Sequence, residues 1–198
     1  MRTKILTQLN ELGESNYLQI LAHVLLPLSG VLSGWEAALV FSYIRSLFSN
    51  DVLIELSENL ISFKVFGSDV NFQTKPVISL EKKGNDETIT AIGKVLSTPN
   101  VTTRYVNPFA HPRSFVGNFL LAEKILQHGM REIHKTRLRP SPRVVMHQLE
   151  KNEGGLTDIE DRVLRELAVG AGAREVIIYL GQRINVESES FNSIKDRV

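Results

Sequence analysis

Few residues in this sequence are of types and spacings that do chemistry. His111, His128, His134 and His147 do not fall at metal-ligand spacing, and His128 and His134 stand six apart on a helical stretch, on different faces. Surface or capping roles are expected for all four, with no metal site. The chain has no cysteine, so it offers no disulfide, no thiolate zinc site and no cysteine nucleophile. Lys135, Arg137, Arg139 and Arg143 form a basic cluster. A solvated helix end is the default for such a run, and contact with acidic lipid or a partner's acidic patch is the alternative. Gly170-Ala171-Gly172-Ala173 has the composition of a phosphate loop but follows a helix. Anions bind at helix N-termini, so the run reads as a helix stop. Asn100-Val101-Thr102 matches a glycosylation sequon, which without a secretory signal reads as coincidence.

The stretch from Leu138 to Leu180 organises the elements that must position any site. Arg139-Pro140-Ser141-Pro142 is a rigid entry, because each proline fixes its own φ and extends the residue before it. Val144-Val145-Met146 has the length of a buried strand. After Gly154-Gly155, the residues Thr157-Asp158-Ile159-Glu160 have the form of a capping box, which predicts a helix start. Ile159, Val163, Leu164, Leu167 and Ala168 recur at helical spacing, and Gly170 and Gly172 are stop signals. Glu175-Val176-Ile177-Ile178-Tyr179 then reads as a second strand. Two buried strands joined by a helix predict a parallel pair with a right-handed crossover.

Earlier in the chain, Val52–Leu56 and Leu60–Phe66 read as strands joined tightly through Ser57-Glu58-Asn59. Pro76–Leu80 is a third, and Thr88–Ile92 returns from a polar hairpin loop at Lys82–Asp86. Asn100 to Arg113, punctuated by prolines, is expected to be irregular. Phe115, Phe119, Ala122, Leu126 and Ile133 mark a long amphipathic helix. Residues 181–198 read as a polar tail that frays.

Residues 1–44 form an apolar appendage. Between Leu18 and Trp35 there is no Asp, Glu, Lys or Arg, which approaches the roughly 20 apolar residues of a membrane span. Pro27, Gly30 and Gly34 weaken a continuous helix there. Three readings stay open for residues 17–43: a membrane anchor at the inner membrane surface, a helix packed on the domain or on a second copy, or a segment foreign to the fold. A signal peptide is a poor fit, since acidic residues precede the apolar run. Lys+Arg 23 against Asp+Glu 22 gives a net charge of +1, so nucleic acid is not an expected partner.

The segments RPSPRVV at Arg139–Val145 and GAGAREV at Gly170–Val176 closely resemble the MreB family of rod-shape-determining bacterial actin homologues. The similarity runs back through Phe119–His134 to Leu47–Asp51 and covers about residues 45–179. It implies an α/β fold, the RNase H-like first half of an actin-like ATPase, with a mixed sheet and flanking helices in residues 45–180. To this half the N-terminal helical appendage is added.

Members of that family bind ATP and magnesium through two glycine-rich hairpins, the first of Asp-Leu-Gly-Thr form. A polyphosphate needs several backbone amides at close range, which glycine permits. The matching residues here are Glu55-Leu56-Ser57-Glu58-Asn59. Ser57 brings a Cβ into the approach path, and the Glu58 carboxylate would repel phosphate. At 4 Å like charges cost about 1 kcal/mol in water and several times more where water is excluded. A Glu-Glu-Pro stretch that positions the hydrolytic water in the family is replaced by Leu180-Gly181-Gln182. The sequence also stops at Val198, before a second phosphate hairpin, which reads as truncation to roughly the N-terminal half.

The expectation is therefore a cytoplasmic cell-shape protein, associated with an MreB-type filament or with itself, a pseudo-ATPase with no catalytic residues and no resident cofactor. The alternative is an ATP-binding, filament-forming ATPase whose missing half another chain supplies. A decayed gene product without a selected role is the third reading.

Overall fold

The computed structural model describes residues 51–84, 86–134 and 140–198. The appendage of residues 1–44, the tip of the loop at Asn85 and the basic residues Lys135, Arg137 and Arg139 lie outside them. Among the described residues no helix is long and apolar enough to cross a membrane.

Strand β1 (Val52–Leu56) is buried along its whole length, as its apolar run requires. A four-residue connection returns the chain as β2 (Ile61–Val65), antiparallel to β1, and β3 (Asn71–Thr74) pairs antiparallel with β2. After an excursion the chain enters α1 (Phe119–Ile133), with Asn118 as N-cap, and then β7 (Arg143–Gln148), which lies parallel to β1. Helix α2 (Asp158–Gly170) crosses to β8 (Glu175–Tyr179), parallel to β7. The result is a mixed five-stranded sheet in the order β3-β2-β1-β7-β8. The capping box is formed as its residues predict: the Glu160 amide donates to the Thr157 hydroxyl at 3.3 Å and the Thr157 amide to the Glu160 carboxylate at 3.0 Å.

The excursion is a second sheet of three strands, β4 (Ile78–Lys83), β5 (Asp86–Ile92) and β6 (Thr103–Val106), in the order β5-β4-β6. The structure departs from expectation at three places here. The strand at Asn71–Thr74 was not anticipated, and the one expected at Pro76–Leu80 begins later and belongs to this second sheet. Asn100–Arg113 is not wholly irregular either, since Thr103–Val106 pairs with β4.

One face of the main sheet packs against α1 and α2 through Val52, Ile54, Phe63 and Met146. Of the apolar stripe expected on α2, Leu164, Leu167 and Ala168 are buried, whereas Ile159 at the first turn is exposed. Gly129 is what lets α1 close on the sheet. A Cβ there would fall 2.1 Å from Phe63 Cζ and 2.2 Å from Cε2, and that ring is fully buried. Gly129→Ala gains about 1 kcal/mol of helix propensity but forces overpacking at the upper end of the usual 1–3 kcal/mol, so a net loss of about 2 kcal/mol is expected in urea unfolding. An unchanged midpoint would show that α1 yields without cost.

The opposite face carries Leu53, Val145 and Ile177, and it is covered by the C-terminal residues Ile184, Phe191 and Ile194. The polar tail expected to fray is thus part of the core. It contains α3 (Phe191–Lys195), and the Gly67 amide donates to Val186 O at 2.8 Å. Arg143, expected in a basic cluster, is instead a tie to this segment. Its Nε and Nη2 donate to the two Asp51 carboxylate oxygens at 2.9 and 2.7 Å, its Nη1 to Asn192 Oδ1 at 2.8 Å, and its guanidinium lies 4.3 Å from the Phe191 ring centre.

Candidate functional site

The parallel strands β1, β7 and β8 end at one edge of the sheet, and ligand sites in α/β proteins lie beyond such ends. A cavity of about 430 Å³ opens there, lined by residues that include Glu55, Ser57, Ser62, Lys64, His147, Glu150 and Arg183. Strand register sets its floor. Ser62 on β2 and His147 on β7 are both Cα partners of Glu55 on β1, and Tyr179 on β8 is the partner of His147. Partners at one level present their side chains on the same face, so a polar row crosses the sheet above the apolar row of Leu53, Val145 and Ile177.

Of the five expected site residues, Glu55 lies on this row. Its side chain is 5% exposed and its Oε2 accepts from Lys64 Nζ at 2.8 Å. Glu55 Oε1, Ser62 Oγ and His147 Nδ1 have no hydrogen-bond partner among the described residues. Leu56, the next of the five, is fully buried in the core facing the helices.

The other three, Ser57, Glu58 and Asn59, form the turn, and its donors are largely engaged. The Ser57 amide donates to Leu60 O at 3.1 Å, and the Ser57 hydroxyl donates to the same oxygen at 2.8 Å. The Leu60 amide donates to Ser57 Oγ at 3.1 Å. The Glu58 amide donates to Glu150 Oε2 at 2.8 Å, and the Glu58 carboxylate pairs with Lys151. Asn107 Nδ2 donates to Glu58 O at 2.8 Å, while Asn59 is exposed. The Ser57 hydroxyl therefore takes up the Leu60 amide, a bond that glycine could not make.

One residue differs from its expected role. His147 is buried, at 1% exposure, and is neither a surface nor a capping group. Its Nε2 stands 3.0 Å from Gly181 O, an acceptor only, so Nε2 carries the proton and Nδ1 does not. The burial was hidden because the strand continues two residues past the apolar run that marked it. Gln182 is exposed and does not line the cavity. His111 does cap locally, accepting from the amides of Arg113 and Ser114 at 3.3 and 3.2 Å. His128 packs edge-on to Phe72 and ends 3.9 Å from Glu132, and no metal-binding group of three is found among the described residues. Asn100 Nδ2 donates to Glu81 at 2.6 Å.

Burial is the main cause holding the His147 pKa below 6.5; the Gly181 carbonyl and the Glu55 charge oppose it. Above pH 6.5 the folded and unfolded chains both hold a neutral imidazole. Below it the unfolded chain binds a proton first, so stability falls with pH until the folded imidazole also protonates. His147→Gln, which keeps a donor for Gly181 O, is expected to flatten this slope in melting curves taken from pH 7.5 to pH 5. Parallel curves for the two proteins would dismiss His147 as the titrating group.

A mixed sheet of this strand order, with the two long helices on one face and a cavity at the ends of its parallel strands, defines an RNase H-like sheet, the arrangement found in the first half of actin-like proteins. No protein-family model matches the chain. Individual relatives do. The cell shape-determining protein MreB of Pasteurella multocida is 31% identical over 147 residues, which cover 71% of this chain and 40% of that protein. That of Escherichia coli K12 is 32% identical over 141 residues, 68% of this chain and 39% of that protein. The crystal structure of MreB5 of Spiroplasma citri bound to ADP is similar at a TM-score of 0.49 and 18% identity, over 66% of this chain and 38% of that one. The chain is thus an MreB-like protein of the actin family, and it spans about two fifths of the length of the curated relatives it matches.

Proposed function

We propose that this protein serves the bacterial cell-shape cytoskeleton in the cytoplasm by associating with an MreB-type filament or with copies of itself, and not by hydrolysing ATP. The observation that carries the reading is the state of the first hairpin. Its Ser57, Glu58 and Leu60 amides already have partners within the chain. A phosphate loop works by presenting free amides, so this one begins at a disadvantage in donors. Association is supported by apolar side chains left exposed on the outer helices, Leu120 on α1 and Ile159 and Val169 on α2.

Two measurements test the two parts of the proposal. Titration of the full chain with a fluorescent ATP analogue and magnesium is expected to show no saturable binding at micromolar levels. Saturation there would favour an ATP-binding protein that works with a second chain. Sedimentation with polymerised MreB is expected to carry the protein into the pellet, and recovery in the supernatant alone would remove the filament as its partner.

A further inference from the structure

The loop after β7 reaches the first hairpin from 92 residues away and closes it. We infer that Glu150 is a resident anion, its carboxylate held at the Glu58 amide so that an external oxyanion is kept out. This rests on the reading of the hairpin as a poor phosphate site and names one device that makes it so.

Outward-facing amides of a tight turn attract anions. The one at Glu58 donates to Glu150 Oε2 at 2.8 Å. The loop is built to deliver that oxygen. Gln148, 1% exposed, donates through Nε2 to Glu150 O at 2.8 Å and to Lys151 O at 3.1 Å, and Asn152 Nδ2 donates to Gln148 O at 3.0 Å. Lys151 holds a φ of 54°, uncommon for a residue with a side chain. In that conformation its ammonium pairs with the Glu58 carboxylate and donates to His111 O at 2.7 Å. The turn is therefore held on both sides, by a carboxylate at its amide and an ammonium at its side chain. A group tethered in this way acts at an effective concentration of about millimolar, and a free anion must outcompete it. Glu150 itself is exposed, so its removal leaves the core untouched.

The test compares the full chain with its Glu150→Ala variant, each titrated with inorganic pyrophosphate at constant ionic strength and followed by the amide resonance of Glu58. The variant is expected to show saturable shifts centred on Glu58, with affinity above that of the unaltered chain by one plus the ratio of the tethered carboxylate's effective concentration to its own dissociation constant for the amide. Equal affinity in the two proteins, or no saturable shift in either, overturns the inference and leaves the proposed function standing. Micromolar binding of magnesium and ATP by the unaltered chain defeats the proposed function instead. The ratio of the two pyrophosphate affinities then still decides the role of Glu150.

Discussion

Phe191→Ala should cost about 3–4 kcal/mol, the usual loss for a buried aromatic ring. The ring is fully buried between the sheet residues Leu53, Val145 and Ile177 and the guanidinium of Arg143, 4.3 Å from its centre. Helix α3 has only five residues and cannot persist without tertiary contacts. Removing the ring therefore withdraws the anchor of the whole segment from Gly181 onward and bares the apolar row beneath it. In a domain of this size the melting temperature should drop by about 10 °C, and limited proteolysis should begin within residues 181–198. Phe191→Leu, which keeps most of the volume, should lose about 1 kcal/mol. A loss below that for the alanine variant would mean the segment is not part of the cooperative core.

Lys64→Met should cost about 2–3 kcal/mol, because it strands the Glu55 carboxylate in the sheet without its counter-charge. The pair is asymmetric: Glu55 is 5% exposed and Lys64 is 28% exposed. Solvent at the ammonium screens part of the interaction, which places the estimate below the 3–5 kcal/mol of a fully buried pair. Glu55 Oε1 already has no partner among the described residues, so Lys64 supplies the one hydrogen bond its carboxylate is given among them. Adding Glu55→Gln to Lys64→Met removes the stranded charge and should recover most of the loss. Urea unfolding of the two single variants and the double variant gives the coupling, expected at about 2 kcal/mol. Strictly additive losses would show that the pair contributes nothing as a pair.

How far the fold was legible follows from the range of the signals. Strands β1, β2 and β8 and helix α2 announce themselves within a few residues each, by apolar runs in β1 and β8, by alternation in β2, or by a capping box that spans Thr157 to Glu160. Strand β3 does not, because Asn71-Phe72-Gln73-Thr74 is a short edge with a single large apolar residue. Strand β6 sits among prolines that argue for a loop, and its partner β4 is more than twenty residues away. The candidate site divides in the same way. The hairpin from Glu55 to Asn59 is a local feature and could be named from the sequence. The clamp on it from Glu150 and Lys151 could not.

What the sequence alone determined is most of the local elements and the MreB-like character of the chain, since these depend on side-chain type and near spacing. Tertiary structure decided where Phe191, Ile184 and Ile194 go, why Arg143 is a tie and not a surface charge, and that His147 is buried. Three apolar residues spread through a polar tail carry no periodic signal. Only when β1, β7 and β8 are laid side by side does an uncovered apolar row exist for them to fill, and the removal of that row from water is what holds the tail in place.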